Sequence, residues 1–223
     1  MITIHHLENS RSQRILWLLE ELDLKYKVKR YERDRKTSLA PPELKAVHPL
    51  GKSPVLTDGR ITVAESGAII EYVLEAHGKG RLQPEAGTEA ARRFTYWLHF
   101  AEGSAMPPLL MALVFGRVRT APMPFFAKPI ARGIADRVMK SFVIPNIESQ
   151  LAYMDAELAK SPWFAGDEFS AADIQMSFPL EAAATRGGLD QRYPKLAQFL
   201  ERIHARPAYA RALEAGGPYS LLS

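Results

Sequence analysis

The sequence predicts a small α/β domain built on a mixed four-stranded sheet, followed by an all-helical domain. Three observations carry that reading. Over residues 1–79 short period-two stretches alternate with helical stripes. Beyond residue 87 the alternation disappears and helical stripes dominate. Between them lies a linker, 80–87, flanked by Gly78-Lys79-Gly80 and containing Pro84-Glu85-Ala86-Gly87, residues that stop helices and make turns. The expected domains are therefore 1–79 and 88–223, joined by 80–87.

Residues 2–7 read as the first strand. Residues 12–24 read as a helix: Ile15, Leu16, Leu18, Leu19 and Leu22 form an apolar stripe, with Arg14, Glu20 and Glu21 outside it. Residues 26–31 alternate apolar and basic, as a solvated edge strand does. Pro41-Pro42-Glu43 opens a short helical turn, proline being suited to the first helical position. Residues 54–56 and 61–64 flank Asp58-Gly59, a strong hairpin signal. A proline that opens a strand donates no ladder hydrogen bond, which places that strand at a sheet edge. If the bond before Pro54 is cis, the chain turns sharply and leaves backbone groups free for an extended peptide. Residues 66–76 return to helix, with Glu65 and Ser66 at its start. An acid and a hydroxyl beside free helix N–H groups suit the ammonium and carboxylate of an amino acid.

In the second domain residues 88–105 carry a stripe through Ala91, Phe94, Trp97, Leu98 and Ala101, and Pro107-Pro108 is expected to interrupt it. Residues 119–129, rich in proline, methionine and phenylalanine, read as a loop. Residues 130–158 read as a long helical region with a kink or boundary at Pro145. Helices at 171–185 and 196–206 complete the domain. Phe169-Ser170-Ala171-Ala172-Asp173-Ile174 is a capping box with a flanking hydrophobic staple, a folding element rather than a ligand site.

Composition narrows the chemistry. The chain has 29 basic and 25 acidic residues, net +4, with no basic stripe bearing aromatic platforms, so nucleic acid is not an expected partner. The densest basic run, 25–36, is interleaved with Tyr26, Tyr31, Glu32 and Asp34. There is no cysteine, which excludes disulfides, thiolate metal sites and a cysteine nucleophile. Met1-Ile2-Thr3-Ile4 runs straight into a strand pattern without the charged start and apolar stretch of a signal peptide. The greasiest segment, 105–115, holds two prolines and is too short to span a bilayer, so a cytoplasmic protein without a membrane span is expected.

Three motifs in order then resemble one family. Ser53-Pro54 resembles the cis-proline site of the cytosolic glutathione S-transferases, Glu65-Ser66 resembles their acid–hydroxyl pair for the γ-glutamyl group, and Trp163 through Asp173 resembles their capping box. The resemblance spans essentially the whole chain. It implies a thioredoxin-like first domain, glutathione as co-substrate with no metal, a homodimer, and detoxifying transfer of glutathione to a hydrophobic electrophile. Glutathione-dependent peroxide or disulfide reduction on the same scaffold, and a non-catalytic interaction module, are the competing readings.

Asn9-Ser10-Arg11-Ser12 resembles the serine-type members, with a hydroxyl where the first strand meets the first helix. A free thiol has a pKa of about 8.5. Lowering it by two units takes roughly 2.7 kcal/mol, which a donated hydrogen bond and a helix N-terminus are able to supply. Ser10 is the expected donor, with Ser12 and Asn9 as alternatives, and Arg11 adds positive field. The resemblance further implies that the Ser53 backbone, more than its side chain, pairs with the cysteinyl residue beside Pro54. Lys52 reaches a peptide carboxylate, Glu65 the γ-glutamyl ammonium and Ser66 its carboxylate. The electrophile pocket is expected from the helical domain, with Tyr96, His99, Phe100, Met106 and Met111 as candidates.

Overall fold

In this computed structural model the described residues are 1–34, 36, 37 and 39–221. Arg35 of the basic run and the last two residues of the expected helical domain lie outside them. The chain order is β1 (Ile2–Leu7), α1 (Ser12–Glu21), β2 (Tyr26–Tyr31), α2 (Pro42–Val47), β3 (Val55–Asp58), β4 (Ile61–Ala64) and α3 (Ser66–His77). Helices α4 (Glu89–Phe100), α5 (Met106–Thr120), α6 (Lys128–Val138), α7 (Ile144–Lys160), α8 (Ala171–Ala182), α9 (Pro194–His204) and α10 (Pro207–Gly216) follow.

The sheet runs β2-β1-β3-β4, with β1 and β2 parallel across the α1 crossover and the remaining pairs antiparallel. The parallel pair needs that crossover, whereas the β3–β4 hairpin closes through the tight turn at Asp58-Gly59. β2 is an edge strand, as its basic alternation predicts. β3 is not: it lies between β1 and β4. Pro54 is tolerated because it stands just before the first paired residue, Val55, where the ladder asks nothing of its missing N–H.

Two further expectations are corrected. Arg14, read as part of the polar face of α1, is 2% exposed. The sheet lies on one side of α1, and α8 and α10 pack on the other, so the face that would be wet in an isolated domain is covered by the helical domain. Gly216 marks how closely α10 approaches: a Cβ there would collide with the Gln13 side chain. Secondly, Pro107-Pro108 does not break the first long helix. A π-turn at Ala101–Ala105 precedes it, and the Met106 N–H reaches Ala101 O. The two prolines then fall in the first turn of α5, and the Ser104 carbonyl, four residues before Pro108, accepts from Gln150 Nε2 instead. The resulting helical run, Glu89–Thr120, of which 105–115 is only a part, is long and apolar enough by composition to cross a membrane. Its Trp97, Leu98, Ala101 and Met106 are buried inside the protein.

One contiguous core joins both parts. Ile4, Leu16 and Leu19 from the sheet side meet Ile174 and Leu180 of α8, and Trp97, Phe164 and Phe199 from the helical side. α8 is buried along its whole length. It starts on the expected capping box: Asp173 accepts from Ser170 N at 2.9 Å and from Phe164 N at 2.9 Å.

Candidate active site at the first helix N-terminus

β1 delivers the chain to the turn at Asn9, whose φ of 49° lets it double back into α1. Ser10 follows, then the Arg11 N-cap, whose side chain makes no cap hydrogen bond. The Ser10 hydroxyl lies 2.7 Å from Ser12 Oγ and 3.4 Å from Ser53 Oγ, and it accepts from the Ser12 N–H at 3.3 Å. The Ser53–Pro54 peptide is cis. Ser53 Oγ donates to His5 O at 2.9 Å and accepts from Leu7 N at 3.1 Å, so its side chain braces the end of β1. The sequence reading gave weight to the Ser53 backbone over its side chain and did not foresee this brace.

The three donor alternatives are differently engaged. Ser12 is wholly buried, with its hydroxyl 2.9 Å from His6 Nδ1 and 3.4 Å from Leu7 O. Burial, helped by the charge of Arg30, pulls His6 down to about 4, against a backbone hydrogen bond with Gly216. The ring behind Ser12 is therefore neutral at pH 7. The Asn9 side-chain Oδ1 accepts from Ser220 N at 2.7 Å. Ser10 keeps 6% of its surface open.

At the second helix start, Glu65 holds φ 71° and ψ 125°, a conformation rare for a side-chain-bearing residue, and its side chain makes no cap hydrogen bond. Glu65 is exposed and Ser66 is buried directly behind it. Arg14, from the first turn of α1, donates to Ser66 Oγ at 2.5 Å, so the N-termini of α1 and α3 meet through one guanidinium. Lys52 is exposed beside Ser53.

Arg11 and Arg14 both bind Glu102, on the π-turn of the helical domain; Arg11 Nε is 2.9 Å from each carboxylate oxygen. Burial works to raise the Glu102 carboxyl, but the charges and hydrogen bonds of Arg14 and Arg11 outweigh it and hold it below the usual carboxylate value. Arg14 and Glu102 were both missed by sequence reasoning. Their contact spans 88 residues, and Arg14 sits where helical periodicity assigns a solvent face.

Of the pocket candidates, Met106 packs with Phe178, Ala182 and Leu221, and Arg11 lies over the Phe178 ring at 5.2 Å. Tyr96 and Phe100 instead surround Trp97 and Tyr153 in an aromatic cluster. His99 is exposed, and Met111 is half-buried against the main core. The structure adds the tail after α10. Tyr219 donates to Glu181 at 2.7 Å, Ser220 to Asn9, and Leu221 is buried beside Met106.

The family model described as "Glutathione S-transferase, N-terminal domain" matches residues 1–75, and "Glutathione S-transferase, C-terminal domain" matches 135–207. Glutathione S-transferase 1 of Saccharomyces cerevisiae is 35% identical over 96% of this chain and 94% of its own length. The chain belongs to the glutathione S-transferase family. Glutathione S-transferase 3 of Schizosaccharomyces pombe is 36% identical over 96% of this chain and 87% of its own. A crystal structure of a glutathione S-transferase from Actinobacillus pleuropneumoniae is 32% identical and superposes with a TM-score of 0.82, covering all of this chain and 96% of that one. The sheet domain and helical domain are thus those of a transferase that uses glutathione as co-substrate.

Proposed function

We propose that Ser10 donates its hydroxyl to the glutathione sulfur and so holds it as thiolate for attack on a hydrophobic electrophile. The observation that carries this is the position of Ser10 Oγ at the start of α1, beside the Ser12 N–H and 3.4 Å from Ser53 Oγ at the cis-proline corner. The positive end of the helix favours an anion there. Arg11 adds charge, though Glu102 takes up part of it. Ser12 ranks behind Ser10 because it is wholly buried with its hydroxyl beside His6 and Leu7, whereas Ser10 keeps 6% of its surface open. Asn9 ranks behind because its side chain is held through Oδ1 by Ser220 N.

The peptide lies along the Ser53 backbone as an added strand. Lys52 takes one carboxylate, Glu65 the γ-glutamyl ammonium and Ser66 the adjoining carboxylate. The electrophile sits against Met106, Phe178 and Leu221 rather than beside Tyr96 or Phe100, an apolar wall suited to hydrophobic compounds. The protein works as a cytoplasmic homodimer in detoxification.

The test is an ultraviolet titration of bound glutathione together with turnover of a model electrophile, in wild type, Ser10→Ala and Ser12→Ala. Ser10→Ala is expected to raise the thiol pKa and leave binding in place. A shift in Ser12→Ala alone would move the assignment to Ser12. Accumulation of glutathione disulfide in place of a thioether would mark a reductase.

A further inference from the structure

Arg14 is a buried cation with an unusual set of partners. Its guanidinium donates to Gln175 O in α8 at 2.6 Å, to Ser66 Oγ in α3 at 2.5 Å and to Glu102 on the π-turn, and it lies over Phe178 at 5.7 Å. One planar fork thereby fixes three elements around the start of α1. A lysine ammonium cannot match that geometry.

The chemistry of the bond to Ser66 has a direction. A guanidinium only donates, so Ser66 Oγ is the acceptor and its own proton must point elsewhere. Among the described residues no hydrogen bond accepts that proton. The first N–H groups of α3 also lack a side-chain cap. A hydroxyl proton and helix N–H groups therefore face the same corner, and a carboxylate satisfies both. The local charge agrees: Arg11 and Arg14 share the single carboxylate of Glu102, leaving one positive charge over. Burial pulls Arg14 down from its usual value, while Glu102 works to keep it charged.

We propose that Arg14 is a positioning residue that makes Ser66 a dedicated hydrogen-bond donor to the α-carboxylate of the glutamyl end, so that recognition of this carboxylate is set from the helical domain through Glu102. This rests on the assignment of Ser66 to the glutamyl carboxylate made above. Discrimination at that end of the peptide then depends on a side chain that touches no ligand. The same guanidinium ties the sheet domain to the helical domain, so the carboxylate site forms only when the two are docked.

Dissociation constants for glutathione and for γ-aminobutyryl-cysteinylglycine, which lacks only that carboxylate, test the proposal on the full-length protein. The preference of wild type for glutathione is expected to fall at least about five-fold in Arg14→Gln and in Ser66→Ala, and no further in the double variant, because both act along one path. If Arg14→Gln weakens both peptides equally while Ser66→Ala narrows the preference, Arg14 is only structural and the inference falls alone. If Ser66→Ala leaves the preference intact, the Ser66 assignment falls and takes the inference with it. Should Arg14→Gln not fold, Arg14→Lys decides: an ammonium held by Glu102 falls short of Ser66, so the preference should narrow part-way, and a preference equal to wild type would overturn the proposal.

Discussion

Two kinds of helix start coexist in this transferase. At α8 the N-terminus is closed: Ser170 and Asp173 exchange hydrogen bonds, Asp173 also binds Phe164 N, and the carboxylate is wholly buried. At α3 no side chain caps the helix, and at α1 the Arg11 side chain makes no cap while the Ser10 hydroxyl takes only the first N–H, that of Ser12. The same residue type is thus spent on folding in one place and left with unused donor capacity in the other. An N-terminus whose donors are satisfied internally has nothing to offer an anion, whereas an open one is a ready anion site. Which serines matter for chemistry is decided by what else has already claimed their neighbours.

The sharpest test of the contrast is Asp173→Ala. Losing a buried carboxylate that accepts several hydrogen bonds should cost roughly 4 kcal/mol, read as a lower melting temperature. Glutathione affinity in the protein that remains folded should be unchanged, and a normal melt with lost binding would erase the distinction between the two kinds of helix start. Next in size is a pH effect behind α1. His6 is pulled from 6.5 to about 4 by burial and Arg30, so between those values the unfolded chain binds a proton that the folded one does not. Stability is therefore fully present above pH 6.5 and is lost as pH falls toward 4, by about 3 kcal/mol at most. Denaturant unfolding of His6→Asn across that range should show a smaller acid loss. An identical loss would show that other groups carry the acid sensitivity.

Ser10→Ala probes the open end directly. Turnover should drop at least about ten-fold, as for one lost donor to a developing anion, with glutathione still bound. Full activity would remove Ser10 from the chemistry. Glu65→Ala should have the smallest effect, weakening glutathione binding by about five-fold, on the scale of one charge-assisted contact partly open to solvent. A dissociation constant equal to wild type would reduce Glu65 to a strained turn residue.

Much of this was legible beforehand. Period-two runs, the Asp58-Gly59 turn and the Ser170–Asp173 spacing are local signals, and each governs a local structure. The parallel β1–α1–β2 unit, the β3–β4 hairpin and the capping box follow directly from them. Where local rules misled, a distant element had intervened. Pro54 precedes an interior strand because its backbone needs no partner there. The Pro107-Pro108 pair continues a helix because a π-turn absorbs the disruption. Arg14 is buried because α8 and α10 cover the outer face of α1.

By itself the sequence determined the order of elements from β1 to α3, the two-part architecture, and which short segments carry hydroxyls and acids at helix starts, while α10 went unread. These depend on backbone propensity and on patterns a few residues long, which neighbours in the chain suffice to express. Only the tertiary structure decided which serine retains an open side, that Arg14 and Glu102 join the two domains beneath Ser66, and that the tail seats Leu221 on Met106 while engaging Asn9. Those outcomes depend on burial and on pairings between residues up to 211 positions apart. A polar side chain acquires its role from the partners that packing brings to it, and that packing is a property of the whole folded chain.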